Sequence, residues 1–242
     1  VEIAYRYMEP PSPCGYLPGE SWQIEYVQVA TLALAEYGRL LAAGWRRFGH
    51  LLFRPRCPSC RACQSLRIDP TAFRPDRSQR RARRACGGRV TLDVAAPAAS
   101  REAFDLYARF HAFQAEHRGW PRGEADRGSF AEGFLRNPFP TEQWSYRLDG
   151  RLVGLGFVDA PPGVGLSAIY FVHDPAHREL SLGTWNVLSL IDEAARRGLP
   201  HLYLGFYVAG CRSLAYKARF GPHEILGPDG TWTAGEANRF GG

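Results

Sequence analysis

The chain has 242 residues, 45% of them hydrophobic, 22% charged and 13% aromatic, a balance that supplies a buried core and excludes a disordered polypeptide. No apolar run approaches the length of a membrane span, and no export leader is recognisable, so a cytoplasmic protein with no membrane partner is expected. The formal charge is +6, and most of the 30 basic residues are Arg, the side chain that grips phosphate through two parallel hydrogen bonds.

In chain order, residues 1–20 are rich in Pro and Gly and read as an ordered loop ending in Cys14-Gly-Tyr-Leu-Pro18. Apolar residues from Val27 to Ala43 recur at helical spacing, with Gly44 as the stop. Trp45 to Phe53 reads as a strand, Cys57 to Cys63 as a tight knuckle, and Ser65 to Asp69 as a strand behind it. Arg74 to Arg84 reads as a basic helix with Ser78 as its cap. Cys86-Gly-Gly-Arg89 breaks the chain, which divides residues 1–88 from 89–242. Beyond the break come a strand (Arg89 to Ala95), a helix capped by Ser100 and a second helix over 126–136. Strands follow over Gln143–Leu148 and Arg151–Asp159, joined by the hairpin signal Asp149-Gly150, with a third over Gly165–Val172. A long helix runs from Ser181 to Arg197, then come a strand over His201–Tyr207, a short helix over Arg212–Ala218 and a closing hairpin around Glu224 and Thr231. This order (strand, two helices, three strands, helix, strand, helix, strand) is that of a GNAT-like acyltransferase domain. The fold class is therefore α/β with a mixed sheet, preceded by a smaller Cys-containing N-terminal domain.

Several stretches together resemble the arginyltransferase and leucyltransferase family of the N-degron pathway. They are Cys14 to Pro18, Gly44 to Gly49, Leu52 to Cys63, Leu66 to Ile68, Phe73 to Arg81, Gly165 to Tyr170, Ser181 to Thr184, Gly198 to Gly205 and Gly210 to Phe220. No one stretch is specific, but together they run in family order over nearly the whole chain. The Cys-x-x-Cys-x-x-Cys knuckle and the short C-terminal half resemble the bacterial branch, which places leucine on N-terminal Asp or Glu, whereas the eukaryotic branch places arginine there. Two departures stand out. Leu17 occupies a position that is Cys in the eukaryotic pattern, which weakens an iron–sulfur assignment, and Phe48 stands where many bacterial relatives carry Ser.

The resemblance implies aminolysis of an activated ester. The α-amine of an acceptor protein attacks the carbonyl of an aminoacyl-tRNA, and the terminal ribose hydroxyl leaves, with no cofactor required for the chemistry. Tyr216 is the candidate to protonate the leaving oxygen, and Asp159 the candidate base. Lys217 and Arg219 would read an acidic acceptor or grip phosphate. Arg178 to Gly183 resembles an acyl-donor loop, with Ser181 in place of its first Gly, and would offer helix-start amides to a tRNA phosphate, unless Ser181 merely caps the helix. Ser167 and Tyr170 lie on a strand that could pair with an added peptide strand or simply be core. Tyr203 and Tyr207 share a strand face and line either the aminoacyl pocket or the core. Arg46, Arg47, Arg77, Arg80, Arg81 and Arg84 are candidates for contact with the tRNA backbone. Cys14, Cys57, Cys60 and Cys63 could bind zinc or an iron–sulfur cluster, or remain buried thiols or a redox switch. Three other readings stay open: an acetyl-CoA-dependent acetyltransferase, which the altered donor loop disfavours, a metal-knuckle RNA-binding module, which leaves the C-terminal half unexplained, and an inactive transferase that acts as a degradation adaptor.

Overall fold

The computed structural model describes residues 1–120 and 123–235. Its elements in chain order are β1 (Glu2–Met8), β2 (Ser12–Pro13), β3 (Ser21–Trp22), β4 (Ile24–Thr31), α1 (Leu34–Ala42), β5 (Arg46–Phe48), β6 (Leu51–Pro55), β7 (Gln64–Ile68) and α2 (Arg77–Cys86). They continue as β8 (Val90–Ala95), α3 (Arg101–Arg118), α4 (Arg127–Phe130) running into a π-helical turn, β9 (Glu142–Leu148), β10 (Arg151–Asp159) and β11 (Leu166–His173). After a 3-10 turn come α5 (Leu182–Arg196), β12 (Leu202–Tyr207), α6 (Arg212–Ala215), β13 (His223–Leu226) and β14 (Trp232–Ala234).

Two sheets organise the fold. The first is antiparallel, in the order β1-β4-β6-β5. The second runs β14-β13-β7-β12-β11-β10-β9-β8 and is antiparallel except for the parallel pair β11 and β12. From β8 onward this is the mixed-sheet order expected of a GNAT-like acyltransferase. The strand β7, from the first 88 residues, is inserted between β12 and β13, so the second sheet crosses the break at Cys86–Arg89. The main core lies between this sheet and the helices α2 and α5, around Leu66, Ile68, Trp144, Leu166, Leu188 and Leu202. A second core, around Tyr37, Leu41, Trp45 and Tyr203, fills the space between the first sheet, α1 and the second sheet.

Local sequence accounts for most of these elements. Asp76, not Ser78, caps α2: the Gln79 N–H donates to Asp76 Oδ1 at 2.8 Å, and the Asp76 N–H donates to Gln79 Oε1 at 2.8 Å, a reciprocal box. Ser78 itself donates to Asp76. α3 starts on Ser100 and stops at Gly119, whose φ is 68°. Three further expectations change. Residues 2–8 form a strand paired with β4 instead of a loop. The helix expected from Val27 begins only at Leu34, because Val27 and Val29 alternate inward as strand residues. The single strand expected over Trp45–Phe53 is a hairpin, β5 and β6.

One buried polar cluster fastens the first sheet to the second. Arg47 on β5 and Asp159 at the end of β10 are fully buried, and the guanidinium makes two bonds to the carboxylate, Nε to Oδ2 at 2.8 Å and Nη2 to Oδ1 at 2.5 Å. Its remaining N–H groups donate to the Gly49 carbonyl, Asn137 and Thr141. The Arg47→Met substitution leaves a buried carboxylate without its counter-charge. It is expected to cost about 3–5 kcal/mol, read as a lower urea midpoint, with Arg47→Met/Asp159→Leu recovering part of the loss.

Candidate active site

The centre of the large sheet is split. β11 and β12 pair only at Leu166 with Leu202 and Ser167 with Tyr203, yet β11 continues to His173 and β12 to Tyr207, so the strands diverge beyond the paired end. Gly165 fixes that end. Its φ is 144°, and a Cβ there would lie 2.0 Å from the His201 carbonyl oxygen, which accepts the Leu166 N–H at 2.9 Å.

Arg46, expected on a tRNA-facing surface, lies instead in the opening. It is 7% exposed, donates to Ser167 Oγ at 3.1 Å and bonds the Ala168 carbonyl. Gly205, at φ 78°, packs against the guanidinium, and its left-handed backbone favours glycine there. Lys217 enters from the other side. It is 9% exposed, and its amine donates to the Phe206 carbonyl at 2.6 Å. Burial first, then the neighbouring Arg46, bring its pKa down to about 7, against a small opposing pull from Cys211.

A cleft of about 460 Å³, reached by His173 at the far end of β11, gathers Arg178, Ser181, Gly183, Tyr216 and Arg219, five of the residues singled out from sequence. Tyr216 is 43% exposed. The chain enters α5 through Ser181, whose φ is 54° and whose hydroxyl makes no cap bond, so the expected helix cap is absent. The first-turn amides of a helix have no partner inside it, and here Leu182 and Gly183 present that turn to the cleft. Arg219 donates to Asp76 and to Ser78 on the cleft wall. Phe113, Gln114 and Arg118 from α3, together with His173, complete the lining. Sequence reading missed them because α3 shows only its core stripe, and which helix end meets the cleft is a tertiary fact. Among the described residues no carboxylate lines this cleft.

Other candidates fall elsewhere. Asp159, the expected base, is sealed with Arg47 and is 0% exposed, so neither residue has a face for substrate or tRNA. A register shift between Tyr203 and Gly205 moves the two tyrosines of β12 onto different cores, Tyr203 against Trp232 and Tyr207 against the main core, so they do not form one pocket wall. Tyr170 packs on Phe134, and its hydroxyl meets His111 Nε2 at 2.9 Å. Arg77, Arg80, Arg81 and Arg84 stand exposed on α2, whose buried face carries Gln79, Ala82 and Cys86.

The sulfurs of Cys14, Cys57 and Cys60 lie near that of Cys63. All six cysteines are free, and among the described residues no group of three or more His, Cys, Asp or Glu is disposed to hold a metal. Each sulfur answers to local partners. Cys14 Sγ accepts the Tyr16 and Leu17 N–H groups, Cys60 Sγ accepts that of Ala62, and the Cys57 thiol donates to the Gln23 carbonyl. Burial, helped by the neighbouring sulfurs, pushes the Cys63 thiol up to about 12. Among the described residues no helix is long and apolar enough to cross a membrane.

The mixed sheet, split between its two parallel strands, has the order of a GNAT-like acyltransferase domain. Family comparison narrows the class. Residues 12–81 match the model of the arginine-tRNA-protein transferase N terminus, and residues 102–227 that of its C terminus. The chain is 39% identical over 229 residues to the aspartate/glutamate leucyltransferase of Marinobacter nauticus, covering 93% of this chain and 94% of the relative. The enzymes of the same name from Aeromonas salmonicida and Halorhodospira halophila are each 38% identical, over 90% of this chain and 90% of the relative, and 92% of this chain and 94% of the relative. The chain belongs to the arginine-tRNA-protein transferase family and is an aminoacyltransferase.

Proposed function

We propose that this enzyme moves leucine from leucyl-tRNA to the N-terminal Asp or Glu of acceptor proteins in the cytoplasm, marking them for degradation. The observation that carries the reading is the cleft, which joins helix-start amides, three arginines and Tyr216 in one chamber beside a split sheet. Arg118, Arg178 and Arg219 supply positive charge for the phosphates of a tRNA 3′ end, and the α5 amides add donors. The exposed arginines of α2 extend this surface, because Ser78 and Gln79 of the same helix form part of the cleft wall. The leaving ribose oxygen is then next to Tyr216, which holds its proton at neutral pH and donates it as the C–O bond breaks. The remaining catalysis is placement. Holding amine and ester together replaces an encounter between two large molecules with a local reaction.

The donor choice follows from the lining. Phe113, Leu182 and Phe220 are apolar, and among the described residues no carboxylate faces the cleft to pair with an arginyl guanidinium. The names of the relatives point the same way. Arginine as donor is the second reading, because the family model carries that name.

Three outcomes check this. Purified protein given radiolabelled leucyl-tRNA or arginyl-tRNA is expected to transfer leucine to model proteins beginning with Asp or Glu and not to those beginning with Ala. Arginine transfer instead overturns the donor, and no transfer from either overturns the reaction. Tyr216→Phe is expected to lower the single-turnover rate about 100-fold or more while tRNA affinity stays unchanged. Removing Arg178 or Arg219 by alanine substitution is expected to weaken tRNA binding. The slope of log affinity against log salt should fall by about 0.7 for each phosphate no longer neutralised, measured by filter binding across a salt series.

A further inference from the structure

With Asp159 sealed behind Arg47, the transfer reaction lacks the base that sequence suggested. Aminolysis needs one, since the α-amine of a protein has a pKa near 7.7–8.0 and much of it is protonated at neutral pH. The splay between β11 and β12 holds a candidate of an unusual kind. Lys217 is the single lysine of the chain, whose other 29 basic residues among the 30 are arginine. A composition that uses arginine everywhere else carries lysine at one buried position. Reading a carboxylate or holding a phosphate does not require that choice, because a guanidinium does both at least as well. The property that lysine has and arginine lacks is the ability to give up its proton near neutral pH.

We propose that Lys217 is the proton acceptor of the transfer step, taking a proton from the α-ammonium of the incoming protein. This rests on the transferase reading given above. The placement supports it. The Lys217 amine bonds the carbonyl of Phe206, on the part of β12 that has already left β11, so it stands in the opening of the sheet. Tyr216, the preceding residue in the same tight turn, lines the donor cleft. One turn therefore presents an acid and a base, adjacent in sequence, at the place where ester and amine must meet. Among the described residues Lys217 forms no ion pair, so no carboxylate fixes it in the charged form. The groups facing it are Arg46 from β5, which opposes its charge, Cys211 before α6, which weakly favours it, and the Phe206 carbonyl of β12. The resulting value of about 7 nearly matches that of an α-amine, so proton exchange between them is close to balanced. Arg46 also disfavours a second cation in the opening and so favours loss of the α-ammonium proton there.

One α-ammonium proton passes to Lys217 Nζ, and the freed amine nitrogen bonds to the ester carbonyl carbon. As the carbonyl re-forms, the bond from carbon to ribose oxygen breaks, and that oxygen takes the Tyr216 hydroxyl proton. The second proton of the attacking nitrogen restores Tyr216, and Lys217 releases the first to solvent.

Because the chain has one lysine, protein labelled with ¹³C at lysine Cε gives one side-chain resonance to titrate. A midpoint near 7 is expected, and a midpoint near the ordinary lysine value of about 10.4 overturns the proposal. Kinetics supply the second arm. In single-turnover transfer to an Asp-initiated protein, the wild-type rate is expected to fall as pH drops through 7, where the amine gains its proton. Lys217→Arg, which keeps the charge but cannot accept a proton, is expected to slow transfer about 100-fold or more. Its binding of an Asp-initiated peptide, followed by fluorescence anisotropy, should stay within about two-fold of wild type, and its pH limb should move up toward the range of the free α-amine, about 8. A Lys217→Arg enzyme with wild-type rate and pH profile overturns the base while leaving the transferase reading intact. Absence of transfer by the wild-type protein overturns the transferase reading and this one with it.

Discussion

The fold depends on one buried ion pair. Arg47 comes from the first sheet and Asp159 from the end of a central strand of the second, and neither reaches solvent. Bringing both charges out of water is costly unless every donor is used. Here all five guanidinium N–H groups have partners: two on the carboxylate and three on Gly49, Asn137 and Thr141. The ring of Phe139 covers the guanidinium at 4.5 Å. Such a pair adds little net stability, but any rearrangement that separates the sheets leaves a buried charge unpaired. It therefore sets where the first sheet sits, and with it the position of Arg46, one residue earlier on β5.

That position matters because the opening in the large sheet is made by what enters it. Divergence of β11 and β12 leaves backbone groups beyond Ser167 without a strand partner. Arg46 satisfies the Ala168 carbonyl on one side, and Lys217 satisfies the Phe206 carbonyl on the other. The split thus persists with its polar groups answered by side chains, which unlike a paired strand can give way to a substrate. Insertion of β7 beside β12 has a related effect: it joins the N-terminal half to the strand that carries half of the opening. The two halves recognised from sequence share the sheet on which the site is built.

Much of the C-terminal half was legible because its signals are local. Asp149-Gly150 sets the β9–β10 hairpin, and Ser100 caps α3. The cleft was legible in part, since Arg178, Ser181, Gly183 and Tyr216 lie close to the ends of elements whose order was already clear. What failed was whatever depends on tertiary context. Arg46 and Arg47 look like any exposed basic pair until the second sheet closes over them. Asp159 looks like a strand-end carboxylate facing a cleft, and a two-residue alternation carried from Tyr203 to Tyr207 cannot anticipate the bulge at Gly205.

Ser181 shows how a small departure from a familiar loop serves this site. A residue with a Cβ at φ 54° is strained by roughly 1–3 kcal/mol, and Gly at this position would remove most of that cost. Helix capping cannot explain the serine, because its hydroxyl makes no cap bond. What the left-handed residue achieves is a sharp entry into α5, which turns the first helical residues toward the cleft where Arg178 and Tyr216 also face. Backbone strain that persists beside a chamber, with no side-chain cap bond to offset it, marks a conformation held by its surroundings. Here those surroundings are Leu180 and Leu182, both buried in the main core on either side of the turn. The donor end of the site is thus anchored by apolar packing, and the opposite wall of the opening by the ion pair of Arg47 and Asp159.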